Sequence, residues 1–178
     1  MTDLAETIDA PDVAGPGAAG SSPPAEMTGE RSLRIERDFD ATPEEVFDAW
    51  TDPEVLRRWW AVDPAGRTPV AEVDLRVGGR YRLSMEQPDG TRHTVAGEYL
   101  EVARPERLVY SWAWEQDDGR LDEHVSTVTV EFNGEGDQTK LVLEHTDLAS
   151  SESRDRHADG WSACLGVFRS RGFSNRTS

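Results

Sequence analysis

The stretch TPEEVFDAWTDPEVLRRWW, residues 42–60, constrains the fold more than any other part of this 178-residue chain. Thr42-Pro43-Glu44-Glu45 has the form of a capping box with proline at the first helical position. The threonine hydroxyl can accept from the Glu45 amide while the Glu45 carboxylate reaches back to the Thr42 amide, so a helix is predicted to start at Pro43. Val46, Phe47 and Trp50 share one face of it; Thr51-Asp52-Pro53 then interrupts the pattern and caps a second helix carrying Val55, Leu56, Trp59 and Trp60. Helices of one to two turns are not stable alone. So many large apolar side chains on such short helices require a larger apolar surface to pack against.

A series of strands supplies it. Leu33, Ile35 and Arg37 alternate with Arg34, Glu36 and Asp38 from Ser32 onward, the period of a strand with one buried face. Beyond the helices, strands are predicted over Val70 to Val77, Arg80 to Glu86, His93 to Val102, Leu108 to Glu115, His124 to Phe132 and Lys140 to Thr146, separated by Gly-, Asp- and Asn-rich turns. Tyr81, Leu83 and Met85 share a face, as do Leu108, Tyr110, Trp112 and Trp114. Gly97 among bulky neighbours predicts a bend or a close approach by another element. From Ser151 to Arg171, Trp161, Cys164, Leu165 and Phe168 recur at helical spacing, with Gly172 as the stop. Strands joined by such short turns are antiparallel neighbours, and a sheet with one apolar face needs a cover, which the last helix provides. The fold class is therefore α+β: an antiparallel sheet of six or seven strands wrapped around a long C-terminal helix, with two short helices after the first strand.

Three segments are expected. Residues 1–31 read as a disordered tail, because Met1 to Glu30 holds six acidic residues, no basic one and no apolar period. Residues 32–172 form the domain, and 173–178 a short C-terminal tail. A formal charge of −16 argues against nucleic acid or an anionic membrane as partner, since such binding depends on Lys and Arg clusters. A single cysteine, Cys164, excludes an internal disulfide and fits a reducing compartment; with no apolar run near the roughly 18 residues of a membrane span and no signal-like N-terminus, a cytoplasmic location is expected.

Catalytic patterns are sparse. His93, His124, His145 and His157 stand singly, without the spacing of a metal site, and neither a nucleophile elbow nor a phosphate loop occurs. No metal and no cofactor are expected. Cys164 on the apolar side of the last helix reads as a small core residue. His145 follows Leu141 and Leu143 with the same parity, which points it to the buried face. There it either serves a ligand as hydrogen-bond partner or proton acceptor, or is satisfied by a carbonyl or a tyrosine hydroxyl. Tyr81, Tyr99 and Tyr110 either serve as polar handles in the pocket or pack with the hydroxyl at the rim, and Arg57-Arg58 either attract an acidic ligand group or partner or form a solvated helix face.

ATPEEVFDAWTDPEVLRRWWA after an initial strand, VGGRYRL, GEYLEVARPERLVYSWAW, LVLEHTDL and a terminal helix beginning GW together resemble the activator-of-heat-shock-protein-90-ATPase homologue family, within the START-like helix-grip superfamily. The resemblance runs from about Ser32 to Phe168. It implies a deep cavity between sheet and long helix that holds a small apolar or amphiphilic molecule. The surplus of large side chains on converging faces makes Trp59, Trp60, Tyr81, Met85, Tyr99, Trp112, Trp114, His145, Trp161 and Phe168 the candidates to line it, the alternative being that they fill a solid core. Trp59 and Trp60 become candidates for its rim. Gly166 and Gly172 near the helix end predict a loose last turn that opens one end of the cavity. The resemblance leaves open a co-chaperone-like module with a chaperone or other protein partner, and a cofactor-free enzyme resembling polyketide cyclases with His145 or a tyrosine as acid or base. The assembly is expected to be a monomer or a homodimer.

Overall fold

The structure, a computed structural model, describes residues 23–173. In chain order its elements are β1 (Glu26–Gly29), β2 (Ser32–Phe39), α1 (Pro43–Thr51), α2 (Pro53–Trp59), β3 (Ala71–Val73), β4 (Arg80–Glu86), β5 (Arg92–Ala103), β6 (Arg107–Trp114), β7 (Ser126–Glu135), β8 (Gln138–Thr146) and α3 (Ser151–Arg171). The eight strands form one sheet in the order β1-β2-β8-β7-β6-β5-β4-β3, with every pairing antiparallel. From β3 to β8 the chain is a meander, so α1 and α2 are the connection that carries it from β2, beside the last strand, to the far edge. This is the helix-grip architecture.

The helix pair is capped as its sequence dictates. The Glu45 amide donates to Thr42 Oγ1 at 3.2 Å and the Thr42 amide to Glu45 Oε2 at 2.8 Å; the Glu54 amide donates to Asp52 Oδ1 at 2.9 Å, which starts α2. Val46, Phe47, Trp50, Leu56 and Trp59 then bury into one apolar cluster with Leu33 and Ile35 of β2, Phe132 of β7, Leu141 and Leu143 of β8, and Trp161, Leu165 and Phe168 of α3. Among the described residues, no helix is long and apolar enough to cross a membrane.

Gly97 is required where β5 passes β6. A Cβ there would lie 2.0 Å from the Ser111 carbonyl oxygen and 2.8 Å from Tyr81 Cε1, distances no side chain tolerates. The close approach lets the Tyr81 hydroxyl donate to the Ser111 carbonyl at 2.5 Å.

Four expectations are corrected. Glu26–Gly29, assigned to a disordered tail over residues 1–31, is the edge strand β1, with every residue exposed. It is held by pairing to β2 and by Arg154 Nη1 donating to the Gly29 carbonyl, so it needs no apolar period; residues 1–22 and 174–178 of the predicted tails lie outside the described residues. The sheet accordingly has eight strands instead of six or seven. The strand expected over Val70 to Val77 ends at Val73, because the Asp74 amide donates to the Arg80 carbonyl and the chain turns through Gly78 at φ +84°. The predicted opening at the end of α3 is filled: Phe173 packs against Phe168 and Phe39 at ring-centroid distances of 5.1 and 5.9 Å.

Candidate functional site

The large aromatics expected to line one cavity fall into three groups. Trp59 and Phe168 belong to the solid core, with ring centroids 4.3 Å apart, and Trp59 Nε1 donates to the Ala49 carbonyl at 2.8 Å. Tyr81 and Tyr99 form a separate cluster with Tyr110 at 5.2 to 6.0 Å. Burial raises the hydroxyl pKa of all three tyrosines, foremost by desolvation, so they stand as neutral phenols. The third group, Trp60, Met85, Trp112, Trp114 and Trp161, borders a cavity of about 20 Å³ between sheet and α3. Val62, His157, Gly160 and Cys164 complete its walls. The deep cavity implied by the family likeness is thus closed to the volume of about one water, because indoles from the residue that caps α2, from β6 and from α3 converge on it.

Behind the cavity lies a chain of buried polar groups. Trp161 Nε1 donates to His145 Nδ1 at 3.0 Å. An indole nitrogen only donates, so Nδ1 carries a lone pair, and Nε2–H of the neutral ring donates to Ser126 Oγ at 2.7 Å. Trp114 Nε1 donates to His157 Nε2 at 3.2 Å, while His157 Nδ1–H donates to the Ser153 carbonyl at 2.7 Å. Two indoles thereby fix opposite tautomers in two imidazoles whose centroids are 4.9 Å apart. His145 is fully buried, and desolvation, with the neighbouring His157 adding to it, holds its pKa well below the usual 6.5. Its predicted pairing is observed, with Trp161 and Ser126 as partners in place of a carbonyl or a tyrosine. Every ring nitrogen of the pair is engaged within the protein, and neither imidazole offers a lone pair to a reacting group in the cavity. The Cys164 thiol, pushed up to about 12 by burial, is likewise no nucleophile at neutral pH.

The pH dependence of stability follows with a definite sign. Because the folded pKa of His145 is depressed, the unfolded chain binds the extra proton first, and stability present above pH 6.5 is lost as pH falls below it. The slope contributed reaches up to about 1.4 kcal/mol per pH unit. His93, depressed foremost by desolvation, adds to the same window. Urea unfolding between pH 7.5 and 5.5 checks this: the wild type should weaken on acidification, and His145→Leu should show a shallower slope whatever its stability at pH 7.5.

Two features distinguish the cavity from ordinary core. Trp60 Nε1 and Trp112 Nε1 are buried and make no hydrogen bond to the protein, whereas the indoles of Trp114 and Trp161 are anchored on the histidines. Each buried N–H without an acceptor costs about 1–3 kcal/mol. In addition, Gly160 borders the cavity from inside α3, and a Cβ there would meet nothing within 4 Å. A glycine in mid-helix costs about 0.5–1 kcal/mol relative to alanine, and no close contact requires it. Gly160→Ala is therefore expected to raise stability by that amount, read as an increase in the denaturant midpoint at unchanged slope. Sequence patterning could not find Gly160 or His157 as cavity residues, since their roles depend on the rotation of α3 over the sheet. The unmet N–H groups have no sequence signal at all.

A comparison with curated proteins gives no match. Among solved structures, the AHSA1 protein from Silicibacter pomeroyi is 29% identical with a TM-score of 0.70, over 78% of this chain and 95% of that one. CalU16 from Micromonospora echinospora is 30% identical with a TM-score of 0.60, over 81% of this chain and 77% of that one. A protein from Arthrobacter aurescens, 20% identical with a TM-score of 0.72, covers 89% of this chain and 99% of its own and shares the fold. Together with the helix-grip architecture, these likenesses describe in general a ligand-binding or co-chaperone-like module. The family model described as Activator of Hsp90 ATPase homolog 1-like protein matches residues 40–171, from the cap of α1 to the end of α3, and the chain belongs to that family.

Proposed function

We propose that the domain binds a small apolar or amphiphilic molecule in the space between the sheet and α3, and that the closed form described above opens to admit it. The observation that supports this is that two of the indoles bordering a largely apolar cavity, those of Trp60 and Trp112, keep buried N–H groups with no acceptor in the protein. Close-packed cores satisfy their polar atoms, so two orphans at one void indicate a site built for a guest. The walls that yield are Met85, whose unbranched side chain has three rotatable bonds, and Trp60, whose indole is tied to no acceptor. Entry there leaves Trp59 and Phe168 in place as core. A co-chaperone-like role is carried by the family description alone, and a cyclase-like reaction would lack a general base, since both imidazoles are committed to internal hydrogen bonds.

Native mass spectrometry of the purified protein, followed by titration with the neutral fluorophore N-phenyl-1-naphthylamine, tests the reading. A copurified molecule of a few hundred daltons is expected, or a saturable, blue-shifted rise in probe emission once that molecule is removed. A protein of bare chain mass that leaves the probe emission unchanged would contradict it.

A further inference from the structure

We infer that the guest is a neutral molecule with a hydrogen-bond-accepting oxygen of the carbonyl kind, and that Trp60 Nε1 and Trp112 Nε1 recognise that oxygen together. This rests on the ligand-binding reading above and specifies its chemistry. The two rings lie 6.0 Å apart by centroid, both border the cavity, and each is at least nine-tenths buried, with relative exposures of 2% and 4%. Their N–H groups can only donate. A guest that offers only donors or only hydrocarbon leaves both unmet, whereas one oxygen with two lone pairs can accept from two indoles.

The remaining walls exclude charge. Val62, Met85, Trp114, Gly160, Trp161 and Cys164 bring no ionised group, and the nearby imidazoles are neutral by virtue of their indole donors. A carboxylate would enter without a cation to meet it, and burial of an unpaired anion is far more costly than burial of a ketone or ester carbonyl. A cation would find no anion. The flat, aromatic walls favour a flat guest, with ring faces stacked on indole faces. The class indicated is a planar, neutral ketone, quinone or ester.

A single ordered water bridging the same two donors is the competing occupant, because the closed void has that size. Matched probes separate the two. 2-Acetonaphthone carries the carbonyl, 2-isopropenylnaphthalene replaces its oxygen by a methylene of nearly the same shape, and 2-naphthoate makes it an anion. Affinities measured by titration calorimetry, with the indole N–H signals followed by nitrogen-15 NMR, are expected to rank the ketone at least about tenfold above the alkene and above the carboxylate. The Trp60 and Trp112 indole signals should move with the ketone more than those of Trp59, Trp114 and Trp161, which already have protein acceptors.

Trp112→Phe should reduce the ketone-to-alkene affinity ratio to within about twofold. Since that variant removes bulk as well as the N–H, the wild-type NMR shifts serve as the independent readout. Equal affinity for ketone and alkene would overturn the acceptor site, assign the donors to water alone, and leave apolar binding intact. Tighter binding of the carboxylate would overturn the neutral class. Binding of none of the three, together with no response to N-phenyl-1-naphthylamine, would overturn the ligand-binding reading and this inference together.

Discussion

Trp161→Ala is expected to destabilise the domain by about 3–5 kcal/mol, the range for removing a large buried aromatic and a large share of the roughly 5–15 kcal/mol that holds a typical domain together. Its indole stacks on Trp50 at 6.1 Å and 19°, meets Trp112 at 5.1 Å and Trp60 at 5.7 Å, and supplies the donor that fixes the tautomer of His145. It therefore joins the helix pair, the sheet and α3 at one point. Trp161→Phe keeps most of the packing but leaves His145 Nδ1 without its donor, and should cost a smaller amount, about 1–3 kcal/mol. Urea unfolding followed by far-ultraviolet circular dichroism measures both. A loss below about 1 kcal/mol in the alanine variant would show that the junction relaxes around the missing ring and is not the keystone of the fold.

Gly97→Ala is expected to cost about 3 kcal/mol, at the upper end of what overpacking costs. The added methyl would meet the Ser111 carbonyl oxygen at 2.0 Å and Tyr81 Cε1 at 2.8 Å. The first obstacle is backbone, which a rotamer change cannot clear, so β5 must move away from β6 and the Tyr81 hydroxyl loses its acceptor. The effect lies between two central strands of the meander, beside the turn of register between Tyr99 and Glu101. Thermal unfolding should show the drop, with a change in the near-ultraviolet tyrosine signal. A midpoint equal to that of the wild type would mean that the sheet accommodates a side chain at this crossing.

These two sites differ in how much of them can be read from residues alone. Gly97 stood out because a glycine amid large strand residues signals close approach, and the structure supplies the atom approached. The capping box of α1 and the cap of α2 were equally plain, since their signals are local and fall within four residues. So were the inward faces of β4, β6 and β8, whose period-two patterns decide burial without reference to other elements. Edge strand β1 was hidden because an exposed edge needs no apolar face; its order comes from pairing with β2 and from Arg154 on the distant α3.

The site was readable only in part. The sequence places Trp60, Met85, Trp112, Trp114 and Trp161 on inward faces, and these border the cavity. It places Trp59, Tyr81, Tyr99 and Phe168 on inward faces as well, and these pack elsewhere, because parity selects a face but not a position along it. His145 was visible by parity and sits behind the cavity wall, while its partner His157 and the notch at Gly160 depend on how α3 is rotated. Which indoles are anchored and which are not depends on how β6, α3 and the end of α2 meet in space.

The proposed binding to the space beside Gly160 is tested most directly by closing it. N-phenyl-1-naphthylamine titrated into wild type and Gly160→Leu should bind the first and not the second, while thermal unfolding shows the variant at least as stable, because leucine is a better helix former than glycine and a Cβ here meets no neighbour within 4 Å. Equal probe affinity in both proteins, at equal stability, would contradict the placement of the ligand between the sheet and α3.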